Sequence, residues 1–303
     1  MAFNDKKHDK VLQSTLDQIQ ADVYDNTKAL EHEIAEIVAQ ELPIEAVRPQ
    51  IMQTFATHSN NVKELALPLT DISTDWIDQS NIPASQEDFQ TQSTLLTQSQ
   101  SALSSTVDAH SEDVTSTVVL GTLAGLGTVA MINQVRGRIS GIWMDSDNPE
   151  VRRAQRKLRK MMRTNKTKSA YKDESIDLAT PLAAYVATVA LIKRKLPGDV
   201  NTAASLAVKL ETASDNIVRQ YDGTFAAARA ERLNIDRFRY SGSLIETSRP
   251  FCIEMHGAEL DKEEIERIWN SRTWAGKEPG DPHRVMGGYN CRHYWVPIES
   301  DED

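Results

Sequence analysis

The sequence predicts a mainly α protein that closes with a small α+β module, on three observations. Apolar residues recur at helical spacing through most of the first 234 positions, and alanine is abundant in residues 181–232. From Ile235 to Ile298 the texture changes: this stretch holds both cysteines, three of the seven histidines, three of the five tryptophans and six of the thirteen glycines. A chain of 303 residues with a hydrophobic fraction of 40% can bury ordinary cores in two or three domains.

Residues 1–84 form the expected N-terminal helical region. In STLDQIQADVYDNTKALEHEIAEIVAQEL, Leu16, Ile19, Val23, Leu30, Ile34 and Ile37 stand three, four or seven apart, which is an amphipathic stripe. Ser14 or Thr15 is the expected cap and Pro43 the expected stop, with a second, shorter helix in PIEAVRPQIMQTFATHSNNVKELA. Residues 85–117, rich in Ser, Thr and Gln with few large apolar side chains, read as a polar linker or a solvated helix and mark a boundary.

Residues 118–234 read as a central α-helical domain. Its entry, TVVLGTLAGLGTVAMI at 117–132, is sixteen residues without a charge, short of the roughly 20 that span a bilayer. The expectation is a buried helix packed closely through its glycines and broken near Gly125 to Gly127, with a membrane-active segment as the alternative. Charge then reverses. Residues 152–168 carry Arg152, Arg153, Arg156, Lys157, Arg159, Lys160, Arg163, Lys166 and Lys168 and no acid. Against a whole-chain charge of −10, these nine cations leave nineteen net negative charges elsewhere. So acidic a chain does not coat nucleic acid with its whole surface, yet this stretch suits phosphates or an acidic partner. Its plainer reading is a solvated helix face with Leu158, Met161 and Met162 inward. No aromatics interleave to stack bases.

Residues 235–303 read as the small α+β module, and a unit that size often needs a staple. In RPFCIEMHG, Cys252 and His256 are four apart, on one face of a helix that Pro250 begins and Gly257 ends. In YNCRHYW, Cys291 and His293 are two apart, on one face of a strand. The two pairs together can make a tetrahedral Cys2His2 zinc site of the structural kind, with His283 as a substitute ligand. Three other readings stay open: a disulfide between Cys252 and Cys291, a catalytic thiol at Cys291 beside Arg292 and His293, and two small buried cysteines. The opening residues lack the apolar core of a secretory signal, so synthesis in a cytoplasm that keeps thiols reduced is expected. Trp269, Trp274, Trp295, Ile265 and Ile268 read as the module's core, Asp261 as a helix cap, and Gly287 with Gly288 as the turn into the last strand.

The order ARAERLNIDRFRYSG, ETSRPFC, a Trp-bearing helix and GGYNCRHYWVPI resembles the C-terminal domain of phage minor head proteins, the Mu F-like head morphogenesis family. The resemblance covers about a third of the chain, from Ala203 to Ile298, and rests most on TSRPFC and the closing Asn-Cys-Arg-His. It implies a non-enzymatic virion protein inside the head, bound to the portal and assisting head assembly, DNA packaging or DNA delivery. The implied partners are the portal protein, packaged DNA, and the scaffold or major capsid protein. Cys252, Cys291 and His293 match the family's ligand positions. The family often carries a second cysteine near the first and closes with Cys-Arg-Cys, where His256 and His293 stand here, an exchange that preserves zinc binding but removes thiols. Two alternatives remain: a zinc- or thiol-dependent hydrolase or nuclease using the same cluster with Glu254 as base, and an ejected protein that touches membranes through 117–132.

Overall fold

The computed structural model describes residues 3–143, 146–163, 187–192, 194–195, 205–242, 244, 248–288, 291 and 293–298, with backbone alone at 142 and 159–163. As the sequence predicts, the fold is mainly helical with a three-stranded antiparallel sheet near the C-terminus.

Helix α1 (Asp5–Ala39) starts well ahead of the expected cap. Asn4 is the cap, its side chain accepting the Lys7 amide at 3.1 Å, and Thr15 is buried inside the helix. The aliphatic stripe misplaces the start because the first turns are held by polar burial at His8, which large apolar residues do not reveal. The helix ends at Ala39, and Pro43 stands at the N-cap of α2 (Ile44–Glu64). Helix α3 (Leu69–Ser80) stops at Asn81, which adopts the left-handed conformation at φ 52°.

The stretch read as a polar linker or a solvated helix is α4 (Gln86–Leu123), a continuous helix opened by a capping box between Ser85 and Asp88. Leu95, Leu103, Val107, Val114 and Val118 are buried, and Ser99, Ser104, Ser111 and Thr115 fill the gaps between them. Hydroxyls of such residues return to the preceding turn, as when Thr115 Oγ1 donates to the Ser111 carbonyl at 2.8 Å. Small residues let α4 lie close to α2 and to α7 (Leu206–Arg232), so a composition typical of linkers here makes a packed helix face.

The apolar stretch breaks where expected: α4 ends at Leu123, Gly125 turns with φ 68°, and α5 (Thr128–Ile139) begins. It is not buried throughout. Gly121 and Met131 face the core, but the break lies at a corner of the bundle and leaves Leu120, Leu123 and Val129 65 to 74% exposed. Helix α6 (Pro149–Arg163) buries Val151, Ala154 and Leu158 against Trp143, Ile192 and Ala207.

Helix α7 is the hub, touching α1, α3, α4, α5 and the sheet. The strands are β1 (Arg237–Gly242), β2 (Glu259–Asp261) and β3 (His293–Ile298), in the order β2-β1-β3. Tyr240 on the central strand sits opposite Trp295, and Gly242 opposite His293. Pro297 lies on β3, whose outer edge needs no amide donor. Three short helices complete the module: α8 (Pro250–Met255), α9 (Lys262–Ser271), capped by Asp261 as expected, and α10 (Pro282–Val285). One buried cluster draws residues from Leu12 to Val296, and a second gathers Trp143, Val151, Ala154, Leu158, Ile192 and Ala207.

At the junction of α1, α3, α7 and β3 lies His8, fully buried. Its Nδ1 meets Asp75 Oδ2 at 2.8 Å and its Nε2 meets Asp222 Oδ1 at 2.9 Å. Trp76 Nε1 donates to the same Asp222 oxygen at 2.7 Å, and Tyr294 from β3 packs edge-on at 5.1 Å. Burial opposes a charge on the ring, but attraction to Asp222 and hydrogen bonds to both carboxylates outweigh it and push its pKa up to about 9. Burial likewise opposes ionisation of Asp75, yet hydrogen bonds from His8, Lys7 and Gln79 hold it down to about 2.

These shifts set two pH limits. The folded His8 pKa lies above its ordinary value of about 6.5, so its contribution is complete below that pH and fades as pH rises through about 9. The contribution of Asp75 is present above its ordinary value and fades as pH falls toward about 2. His8→Gln removes one partner from a buried ionic cluster and is expected to cost about 3–5 kcal/mol in urea unfolding followed by tryptophan fluorescence. The loss of stability between pH 6.5 and 9 should shrink in the variant; an unchanged alkaline slope would show that His8 is not the group responsible.

Candidate metal centre

The two cysteine motifs, 39 positions apart, meet in one buried cluster. Pro250 occupies the first turn of α8, in which Cys252 is buried, and the Cys291 amide donates to the Gly288 carbonyl at 3.0 Å. The separations are 3.7 Å between Cys252 Sγ and Cys291 Sγ and 3.6 Å between Cys291 Sγ and His293 Nδ1. Tetrahedral zinc, with Zn–S about 2.3 Å and Zn–N about 2.0 Å, has edges of about 3.8 Å between sulfurs and about 3.5 Å between sulfur and nitrogen. The donor set Cys252, Cys291 and His293 can therefore hold a metal ion.

Gly287 supplies an independent test of the fit. A Cβ built on it would lie 2.5 Å from Cys252 Sγ, 2.6 Å from Cys291 Sγ and 3.0 Å from Tyr240 Oη. The missing side chain thus leaves room beside the two sulfurs and the Tyr240 oxygen. Trp274 holds this backbone in place, its Nε1 donating to the Gly287 carbonyl at 2.9 Å while its ring stacks on Phe251 at 3.9 Å.

Burial opposes a charge on Cys291, but hydrogen bonds from Cys252, His293 and Tyr240 hold its thiol well below the usual range. The Cys252 thiol, donating to Cys291 and itself buried, is pushed up. A cation that displaces the protons of this pair would convert both sulfurs to ligands. His293 Nε2 has no partner among the described residues.

Of the four expected ligands, three come together and His256 does not. Helix α8 ends at Met255, and His256 takes φ −56° and ψ 116°, so four-residue helical spacing no longer aligns it with Cys252. Its ring stands 6.0 Å from that of His293. The substitute ligand His283 is also elsewhere, buried between Phe238 and Trp295 with neither ring nitrogen bonded among the described residues, and desolvation pushes its pKa down to about 4. Glu254, the candidate base of the hydrolase reading, is exposed and pairs with Arg272 at 2.7 Å. Sequence reasoning missed Tyr240 as a neighbour of both sulfurs and gave Gly287 only a turn; the glycine at the entry to a Cys-x-His strand was the available signal.

The basic stretch lies on α6, on the face opposite Val151, Ala154 and Leu158, with Arg152, Arg153, Arg156 and Lys157 exposed. Arg159, Lys160 and Arg163 continue the same helix in backbone, and Lys166 and Lys168 lie outside the described residues.

Purified protein is expected to carry one equivalent of zinc by elemental analysis, and Cys291→Ser to lose it. Chelation should lower the melting temperature of the wild-type protein and leave that of Cys291→Ser unchanged. A wild-type protein free of metal after preparation in added zinc would return both thiols to the buried-cysteine reading.

Comparison with protein-family models, with curated proteins and with solved structures finds no match for this chain.

Proposed function

We propose that this chain is a phage minor head protein, internal to the capsid and associated with the portal, whose C-terminal module is stapled by a structural zinc. One observation carries the reading: the two motifs on which the family resemblance rests, TSRPFC and GGYNCRHYW, contribute Cys252 and then Cys291 and His293 to a single buried cluster. Motifs so far apart in sequence become intelligible together as one clasp.

The cluster favours binding over catalysis. A catalytic zinc keeps a position open to substrate beside a base. Here Cys252, Cys291 and His293 are 1 to 6% exposed, and Glu254 is engaged on the surface. In this reading the long helices offer surfaces for assembly. The portal is the main partner in this reading, with scaffold or major capsid protein against the helical N-terminal half. The exposed cations of α6 would lie against packaged DNA, since each cation near a phosphate releases a counterion.

A second reading has one observation in its favour. Leu120, Leu123 and Val129 form an exposed apolar corner, which suits an ejected protein that touches a membrane surface. No described helix is long and apolar enough to cross a membrane. Dye release from liposomes, compared with that of a Leu120→Ser, Leu123→Ser, Val129→Ser variant, separates this reading from the first.

Immunodetection in purified, salt-washed particles and capture by immobilised portal protein test the main proposal. Absence from particles together with no portal binding would refute it. For the DNA contact, changing Arg152, Arg153, Arg156 and Lys157 to Gln should weaken binding equally across sequences and reduce the log–log salt slope by up to about 3.6, at about 0.9 per phosphate. Unchanged DNA binding and unchanged retention would leave α6 as a solvated face.

A further inference from the structure

We infer that Tyr240 is the fourth metal ligand and closes the site, so that the centre is Cys252, Cys291, His293 and the Tyr240 phenol oxygen. This inference rests on the metal-staple reading of the cluster and deepens it.

Three ligands leave one vertex of a tetrahedron to fill. Tyr240 Oη lies 3.6 Å from Cys252 Sγ and 3.5 Å from Cys291 Sγ. These lengths match the sulfur–sulfur and sulfur–nitrogen separations of 3.7 and 3.6 Å, so the oxygen stands where an edge of the same tetrahedron would place it. The space kept free by Gly287 adjoins this oxygen as well as the two sulfurs. Donors and space thus share one centre.

The fold also holds the phenol in place. Tyr240 is fully buried on the central strand, paired in register with Trp295 of β3, and bonded through its amide to the Ala258 carbonyl and through its carbonyl to the Gly257 amide. Its ring lies parallel to that of His293 with centroids 5.2 Å apart, so the two aromatic donors come from neighbouring strands as a stacked pair. His256, the residue that spacing nominates for this vertex, has left the helix that would have aligned it. On binding, the metal takes the lone pairs of two thiolates, one imidazole nitrogen and one phenolate. Whatever protons the two thiols and the phenol hold would leave to solvent on binding, and no electron would be transferred.

The experiment titrates metal-free full-length protein with zinc and records the ultraviolet difference spectrum, then repeats the titration with cobalt(II) in the presence and absence of azide. Wild type should show a phenolate difference band growing to one equivalent, and cobalt bands that azide does not shift. Tyr240→Phe, which keeps the ring and its packing, should bind without the band, give cobalt spectra that azide does shift, and lose more affinity than the roughly 10- to 100-fold that an outer hydrogen-bond partner is worth. Zinc bound by wild type with no phenolate band, or azide-sensitive cobalt bands in wild type, would overturn the role of Tyr240 while leaving the three-ligand site standing. No metal bound by wild type would overturn both. The wild-type spectra decide the matter even if the variant folds poorly.

Discussion

The imidazole of His8, held between Asp75 and Asp222, is the contact on which the rest of this fold depends. It joins the first turns of α1 to α3 and α7, residues 67 and 214 positions away. An ionic group in so dry a place is stable only when every partner is present, because each would otherwise be a lone buried charge. The surroundings therefore have one arrangement. Trp76 bonds to the acid that receives His8, Phe3 stacks on Trp76 at 4.3 Å, and Tyr294 carries the constraint into the sheet.

From that junction the constraint passes to the candidate metal centre. Tyr294 donates to Asp9 at 2.8 Å, and Arg239 and Ser241 of β1 both bond to Asp5, so the start of α1 lies along the sheet. Tyr240 sits between Arg239 and Ser241 with its side chain on the opposite face, among the sulfurs. One strand thus binds the helical bundle through one face and the ligand cluster through the other. A module that would be marginal by itself shares the bundle's core, and a metal would join its own two ends.

The polar helix α4 shows how much of the fold was legible and where reading stopped. Its composition matches that of linkers, and what makes it a helix is the spacing of a few valines and leucines together with hydroxyls that bond to their own backbone. The stripe of α1, the break at Gly125 and the change of texture at Ile235 could be read directly, because periodicity and glycine act over a few residues. The start of α1 could not, because it is decided by acids far along the chain. At the site, Cys291 and His293 were legible as a strand pair, whereas Cys252 with His256 failed as a helical pair because α8 ends one residue early.

What the sequence determined by itself was local: the mainly helical class, the small closing module, the buried face of α6, and three donors with the chemistry to hold a metal. Tertiary structure decided the rest. It drew residues from every expected region into one buried cluster, put the apolar corner in solvent, set His256 and His283 aside, and brought Tyr240 and Gly287 to the sulfurs. The reason is physical: side-chain periodicity encodes which face of an element turns inward, but which elements meet there depends on packing and on buried charges whose partners lie elsewhere in the chain.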